Sequence, residues 1–523
     1  MLDTLKLYVK HGTPFGPIDA GVIKTEHMSV LTELFDPQNK IYDALKTNPS
    51  LIIGRRGSGK TAYLHSIFLG HEFGIVHEIK TSKTFSQIVQ AIEKGTPSVV
   101  LSESVAELWD ELFYFALFSE VAQKYKKERK ELRLLDDYLA KNSLKGTSGV
   151  DSFLWTVIHS LREKAGGNLI GAIANIVTEV TGVSFEDAKS IVSDVLTKKG
   201  QRAILLLDAL EQYPTAIESV ANAISGLLKC VGQFNERNDR LNVRLCLPAE
   251  LYHVFLDVSS NPLKDLSNSL TLHWVAGELL SVAARRLRLY LQLYFPDQLH
   301  GSRSIAVDSR ANVQAFLRGY LPAQITNGLG QTEDCLAYIL RHTQLQPRHL
   351  LMYLNSIFEK QRKLDSSEYP KISEQAVKTG IAEIEHRLCQ EVFSGYQTLY
   401  PTAKDLCEAC VPELPLAFSN SQLHRVFNRG GKKASGCRDY WEFRRLLIET
   451  GIVGRVIGET ERYLVGRFEY TEPHKLVVAT EDSLCLHPVF AEVYNFKNNG
   501  TSKTIYPYGT DPDADDHRTW QFG

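Results

Sequence analysis

The sequence predicts an α/β fold in which a parallel-sheet core with a helical insert and a helical lid precedes a separate C-terminal module. Three observations carry this. Gly54-Arg55-Arg56-Gly57-Ser58-Gly59-Lys60-Thr61 stands between an apolar run, Leu51-Ile52-Ile53, and a segment of helical pattern from Ala62 to Leu69. Ala203-Ile204-Leu205-Leu206-Leu207-Asp208 is an unbroken apolar run ending in an acid, the composition of a strand covered on both faces. From about Ser373 onward, helical patterns give way to strand-like stretches, which marks a second kind of module.

The first stretch has the spacing G-x-x-x-x-G-K-[ST] in its strand, loop and helix context, and so predicts a P-loop NTPase core. Glycines let the backbone curl so that successive N–H groups, with the positive end of the next helix, point at phosphate oxygens. Residues Gly54 through Ala62 are the expected nucleotide contacts. Lys60 would pair with the β- and γ-phosphates, and the Thr61 hydroxyl would ligate Mg²⁺. Asp208, at the carboxyl end of its strand, would hold the same ion through water, so ATP and Mg²⁺ are the expected cofactors. Glu211 is the candidate to orient or deprotonate the attacking water. The position directly after the aspartate is Ala209, where many P-loop ATPases carry that glutamate, which leaves a surface or helix-capping role for Glu211 open.

Composition sets the outer bounds. A chain of 523 residues exceeds one core and implies two to four domains. A net charge of -2 gives no bulk attraction to nucleic acid, so any such binding must come from a local patch. No apolar run reaches the length of a membrane span; the nearest, Leu169 to Val177, contains Asn175. The N-terminus lacks the apolar stretch of a secretory signal, and eight scattered cysteines fit a reducing cytosol, so a cytoplasmic location is expected. Cys407 and Cys410 have CxxC spacing and could join Cys437 and His424 around zinc. On a helix from Ala403 to Val411 the pair would instead share one buried face.

In chain order, residues 1–34 form a lead-in with turn chemistry at His11-Gly12-Thr13-Pro14-Phe15-Gly16-Pro17, and 35–270 the core, with the helical insert at 80–200. A helix is expected from Asn39 to Leu45, with Tyr42 a possible stacking residue for the base. Gly74 to Val76 reads as a strand. Ala106 to Lys124 reads as an amphipathic helix with Trp109 on the border of its apolar face, followed by a charged run, Lys124 to Arg133, that reads as a solvated helix surface. Asn242 to Leu247 is a further strand, ended by Pro248, with Glu250 just beyond. The lid is expected at 271–372. It contains a helix from Leu279 to Leu293 that carries Arg285, Arg286 and Arg288 beside an apolar face, and a second helix opened by Pro347, whose missing N–H costs nothing at that position.

The order of GRRGSGKT, ILLLDALE, an arginine-bearing helical region near Trp274 and Arg285, and a Pro-Arg helix start resembles the AAA+-like and STAND P-loop ATPases over roughly Phe35 to Glu359. Within that group it looks most like bacterial ATPases found beside anti-phage defence genes, and its lid and terminal winged helix resemble those of origin-recognition initiators. The resemblance implies that Arg348 is a sensor reaching the γ-phosphate. It also implies a homo-oligomer whose sites are completed by an arginine of a neighbouring subunit, with Arg202, Arg285 and Arg286 as candidates, and an output activity in an effector partner encoded nearby.

Residues 373–496 are expected to form a winged-helix-like domain, with helices at Glu383–Phe393, Ala403–Val411, Ser419–Phe427 and Arg438–Glu449 and strands at Ile452–Ile457, Arg462–Tyr470 and Lys475–Val478. Arg425, Arg429, Lys432, Lys433, Arg438, Arg444 and Arg445 could form a phosphate-contacting patch there, which makes DNA a possible partner; a packing unit that holds the nucleotide domain shut is the other reading. Residues 497–523, rich in Asp, Gly, Pro and Thr, are expected to be mobile in part. No nuclease, protease or deaminase motif is present. Three functions follow as expectations: an ATP-driven switch acting through a partner, a nucleotide-regulated DNA-binding protein, and a nucleotide-stabilised scaffold with little turnover.

Overall fold

The computed structural model describes residues 2–23, 27, 30–34, 45, 47–65, 73–79, 81–94, 102–127, 129–141, 185–208, 218–259, 261–265, 268–299, 309–472, 475–494 and 503–511. The chain splits into two compact units. One, the sheet unit, holds Lys40–Arg55 and Lys60–Leu272; the other, the helical unit, holds Met1–Asn39, Arg56–Gly59 and His273–Gly523.

The sheet unit is built on five strands: β1 Leu51–Gly54, β2 Ile75–Ile79, β3 Ala203–Leu207, β4 Leu241–Pro248 and β5 Ser269–Leu272. They run parallel in the order β2-β3-β4-β1-β5. The three inner strands are buried along their whole length, as the continuous apolar run of β3 predicts for a sheet covered on both faces. β2 and β5 lie at the edges and alternate exposed with buried positions. β5 has no counterpart in the sequence expectations: four residues of edge strand with polar outward positions carry little periodic signal. β2 reaches Ile79, three residues beyond the expected Val76, because His77 and Glu78 interrupt the apolar run. Among the described residues of the insert, helices span Thr81–Lys94, Ser102–Lys124, Arg129–Lys141 and Phe185–Lys198.

The Ser102–Lys124 helix corrects the amphipathic reading. Trp109 is fully buried, donating to the Ala223 carbonyl, and so are Leu108, Leu112, Phe113, Phe115, Leu117 and Phe118 around most of the circumference. The helix is buried on several sides by the Glu218–Arg237 helix, β2 and the rest of the insert, so its apolar positions do not form a single stripe. The expected helix at Asn39–Leu45 lies largely outside the described residues, as do Tyr42 and the second half of the Ala62–Leu69 helix, of which Lys60–Leu64 is described.

In the helical unit, the lid helices are Ala276–Tyr294, Arg310–Arg318, Cys335–Arg341 and Pro347–Leu364, with a small hairpin of β6 Gln324–Thr326 and β7 Thr332–Asp334. Pro347 stands in the first turn of its helix, as expected. The helix Glu374–Tyr396, capped by Ser373, is longer than the expected Glu383–Phe393 and packs along Pro347–Leu364. The module that follows has the winged-helix order: helix Ala403–Cys410, strand β8 Ala417–Ser419, helices Asn420–Val426 and Tyr440–Glu449, then a hairpin of β9 Val453–Glu459 and β10 Tyr463–Arg467. The sheet is completed by β11 Ser483–Leu486 and β12 Thr504–Pro507 in the order β12-β10-β9-β11-β8.

One expectation is corrected here. Lys475–Val478 is not a strand; the strand is β11, a few residues later, with Leu484, Cys485 and Leu486 buried. The stretch expected to be a partly mobile tail contains β12, buried throughout and paired in parallel with β10. Among the described residues, no helix is long and apolar enough to cross a membrane.

Candidate nucleotide site

Register pairs the carboxyl ends of β1 and β4, Gly54 opposite Pro248, and ends β3 three residues earlier. Leu207 of β3 lies opposite Leu245 of β4, which lies opposite Leu51 of β1. Asp208, the residue after β3, leaves the sheet with β4 standing between its strand and β1. In the sheet unit the Thr61 hydroxyl donates to Asp208 Oδ2 at 2.6 Å, although the two are 147 positions apart in sequence. Lys60, 6% exposed, donates from Nζ to the carbonyls of Gly54 (2.9 Å) and Arg55 (3.2 Å), which folds its ammonium back over the turn. Glu250 is buried beside this turn, with Oε1 4.0 Å from Arg55 Nε. Sequence reasoning gave it no role. Its only signal was a position two residues past a strand end, and its meaning depends on the Gly54–Pro248 pairing of β1 with β4.

The tip of the turn, Arg56–Gly59, belongs with the helical unit. Gly57 and Gly59 both have positive φ (86° and 96°), the conformation that glycine adopts without strain and that a curled anion-binding backbone needs. Trp274 Nε1 donates to the Ser58 carbonyl at 2.8 Å, and the Arg348 backbone N–H to the Gly57 carbonyl at 3.4 Å. A Cβ on Gly57 would stand 2.7 Å from Gln346 Oε1 and 3.1 Å from Arg348 Cβ. Two buried polar atoms in this corner, Ser58 Oγ and Gln346 Oε1, have no hydrogen-bond partner among the described residues. Orphaned polar atoms at a glycine turn suit a site that receives a polar ligand.

The side chain of Arg348 is engaged within the helical unit. Nη1 donates to Glu391 Oε1 at 2.5 Å, Nη2 lies 3.6 Å from Asp19, and Nε lies 3.4 Å from the Ile18 carbonyl. Arg56 donates to Ser394 Oγ at 2.7 Å. Glu391, Ser394, Gln346 and Asp19 were not singled out in the sequence, because nothing local distinguishes them from surface residues of a helix or turn.

Glu211 and Ala209 lie outside the described residues. Of the three candidate donors of an intersubunit arginine, Arg286 is excluded. It is 8% exposed and donates to the carbonyls of Leu34 (3.2 Å), Phe15 (2.8 Å) and Pro17 (3.0 Å), with burial pulling its guanidinium down to about 10. It is a structural anchor for the N-terminal segment, set among the apolar residues it was expected to border. Arg202 donates to Asn242 at 3.0 Å and stacks over Phe73; Arg285 is half-buried.

Thr61 and Asp208 are the residues that would hold a metal here. A hydroxyl and a carboxylate oxygen are hard donors suited to Mg²⁺, which takes most of its ligands from phosphate and water. Among the described residues there is no cluster of three or more His, Cys, Asp or Glu suited to a metal. Cys407, Cys410 and Cys437 are buried with their thiols raised by burial, and Cys410 packs under Gly431.

Of the expected basic patch, Arg444 must be removed. It is buried and donates to Asn420 Oδ1 (2.7 Å) and to the carbonyls of Val478 and Ala479 (2.9 Å each), tying its helix to the segment before β11. Arg425, Arg429, Lys432, Lys433, Arg438 and Arg445 are exposed, and so is Trp441, at 57%. Arg429 and Arg438 have acidic neighbours in Glu413 and Glu442.

No protein-family model and no curated protein matches the chain. Solved structures to which it is similar include the Aeropyrum pernix ORC2 protein in ADPNP-ADP complexes, at 12% identity and a TM-score of 0.36, covering 91% of this chain and 96% of that one. The ADP form of the same protein gives 11% identity and a TM-score of 0.29 over the same shares. The Aeropyrum pernix ORC1 protein in complex with DNA gives 15% identity and a TM-score of 0.25, over 70% of this chain and 92% of that one.

Proposed function

We propose that this chain binds ATP with Mg²⁺ at the Gly54–Thr61 turn and hydrolyses it as a conformational switch. The observation that carries the reading is the 2.6 Å contact of Thr61 with Asp208, in a parallel sheet whose inner strand β1 runs into a glycine turn. Lys60 would exchange its two carbonyl partners for phosphate oxygens, and the backbone N–H groups of Gly57 to Ala62 would cradle the β-phosphate. Thr61 and Asp208 would hold Mg²⁺, which supplies charge neutralisation on the phosphates. Arg348 would sense the γ-phosphate, and Glu211 would orient the water. Loss of the γ-phosphate would then change how the lid helices hold the tip of the turn.

The finer reading, a homo-oligomer acting through an effector partner in an anti-phage setting, rests on the order of motifs alone. Turnover assays test the enzyme reading: wild type should release phosphate, with Lys60→Ala and Glu211→Gln each reducing the rate at least about a hundredfold. Tight ATP binding with no phosphate release, even with DNA present, would favour the scaffold.

A second reading has its own support. Arg425, Lys432 and Lys433 are exposed without an ion pair among the described residues, on a winged-helix module. Nucleotide-regulated DNA binding through that surface predicts affinity that falls steeply with salt, and a weaker salt dependence after charge reversal of Lys432 and Lys433.

A further inference from the structure

We propose that Glu391 is an internal competitor of the γ-phosphate for Arg348, and that it thereby sets how strongly the site prefers a nucleoside triphosphate over a diphosphate. The inference rests on the sensor role assigned to Arg348 above and adds the residue against which that sensor works.

Arg348 Nη1 and Glu391 Oε1 are 2.5 Å apart, with side chains only 20% and 16% exposed. A charge-assisted hydrogen bond at this burial is little screened by solvent and stronger than a neutral one. Asp19 is a weaker second partner, at 3.6 Å and half-exposed, and the Ile18 carbonyl stands 3.4 Å from Nε. One helical turn beyond Glu391, on the same face of the Glu374–Tyr396 helix, Ser394 Oγ accepts from Arg56 in the tip of the glycine turn. One helix face therefore holds both the phosphate turn and the sensor arginine, and this helix leads directly into the winged-helix module.

A diphosphate offers Arg348 nothing to replace the carboxylate, so the pair persists and costs that ligand nothing. A triphosphate brings a γ-phosphate whose charge and planar acceptor edge suit a guanidinium better than one carboxylate oxygen does. Its binding must nevertheless break the pair with Glu391, and that cost reduces triphosphate affinity selectively. Once Arg348 turns to phosphate, Glu391 is released, and the helix loses one of its two ties to this corner. Nucleotide state is thus communicated to the helix that carries the winged-helix module.

Calorimetric titration of the full chain with a non-hydrolysable ATP analogue and, separately, with ADP tests this. Glu391→Gln keeps the shape and removes the charge. It should tighten the analogue by about tenfold while ADP changes less than about twofold. In the double variant with Arg348→Ala, the gain should vanish relative to Arg348→Ala alone. Glu391→Asp, one methylene shorter, should shift the ratio in the same direction and serves if the Gln variant does not fold. An unchanged analogue-to-ADP ratio in Glu391→Gln, or a gain that survives loss of Arg348, overturns the proposal. Equal analogue binding by wild type and Lys60→Ala would instead sink the nucleotide reading on which it rests.

Discussion

At Gly57 the backbone is left-handed and the space for a side chain is already taken by Gln346 and Arg348. Gly57→Ala must therefore carry both a backbone penalty of roughly 1–2 kcal/mol and a steric one. The expected outcome is nucleotide affinity at least about tenfold weaker, measured by calorimetry, in a protein whose far-ultraviolet circular dichroism is unchanged. The same change at Gly436, where φ is also positive but nothing approaches within 4 Å, should leave nucleotide binding at the wild-type level.

A second residue-scale prediction concerns the buried contact of His342 Nε2 with Glu385 Oε1, at 3.6 Å. Burial first, then Glu492, pushes the Glu385 carboxyl up to about 7, against the pull of Arg341. Burial first, then Arg341, holds His342 well below the usual imidazole value of 6.5. The two act with opposite signs. Glu385 binds its proton more tightly in the folded chain, so its stabilising share is fully present below its ordinary value of 4.5 and is lost as pH rises through about 7. His342 favours the folded chain more as pH rises toward 6.5, because only the unfolded chain readily takes up its proton. Glu385→Gln removes the first contribution. Its stability relative to wild type should be higher at pH 8 than at pH 5 by about 1–3 kcal/mol in urea denaturation, and an equal difference at both pH values would contradict the assignment.

At the scale of elements, what could be read from the sequence was whatever the chain states locally. β1 and β3 are continuous apolar runs, β4 alternates apolar with polar residues before Pro248, the glycine turn has an unmistakable spacing, and Pro347 opens its helix; all are found where expected. Elements defined by distant partners were not legible. β12 is four residues of mixed character that become a strand only because β10 is there to pair with, and β5 exists as the neighbour of β1. Trp109 appeared to border an apolar face because the sequence could not show how many neighbours surround its helix. The same limit hid Glu391, whose meaning lies in Arg348, 43 positions away.

Two of the long helices of the helical unit supply a further test. A Cβ on Gly380 would stand 2.7 Å from Ile357 Cα and 2.8 Å from its backbone N, so the close packing of Glu374–Tyr396 on Pro347–Leu364 depends on that glycine. Gly380→Ala gains helix propensity of about 1 kcal/mol, yet the clash is with backbone and cannot be relieved by a rotamer change. A net loss of about 1–3 kcal/mol is expected in thermal or urea denaturation. A net gain would mean that the helices separate at little cost.

For the molecule as a whole, the C-terminal strand ties the winged-helix sheet to the lid within the helical unit. Arg341 and Glu333 form a buried bidentate pair at 3.1 and 3.2 Å, and the Tyr506 hydroxyl of β12 donates to the same carboxylate. Tyr506→Phe should cost about 1.5–3 kcal/mol, the range for a hydrogen bond to a charged group, in equilibrium denaturation. A neutral effect would show that Arg341 alone satisfies Glu333.

The central claim is that a triphosphate and its metal are held where Thr61 meets Asp208, and calorimetric titration of ATP into the full chain with and without Mg²⁺ tests it most directly. Saturable binding is expected that is tightened by Mg²⁺ in wild type, that loses the Mg²⁺ dependence in Asp208→Asn, and that disappears in Lys60→Ala. Heats indistinguishable from dilution in wild type, or binding that Lys60→Ala leaves intact, would contradict it.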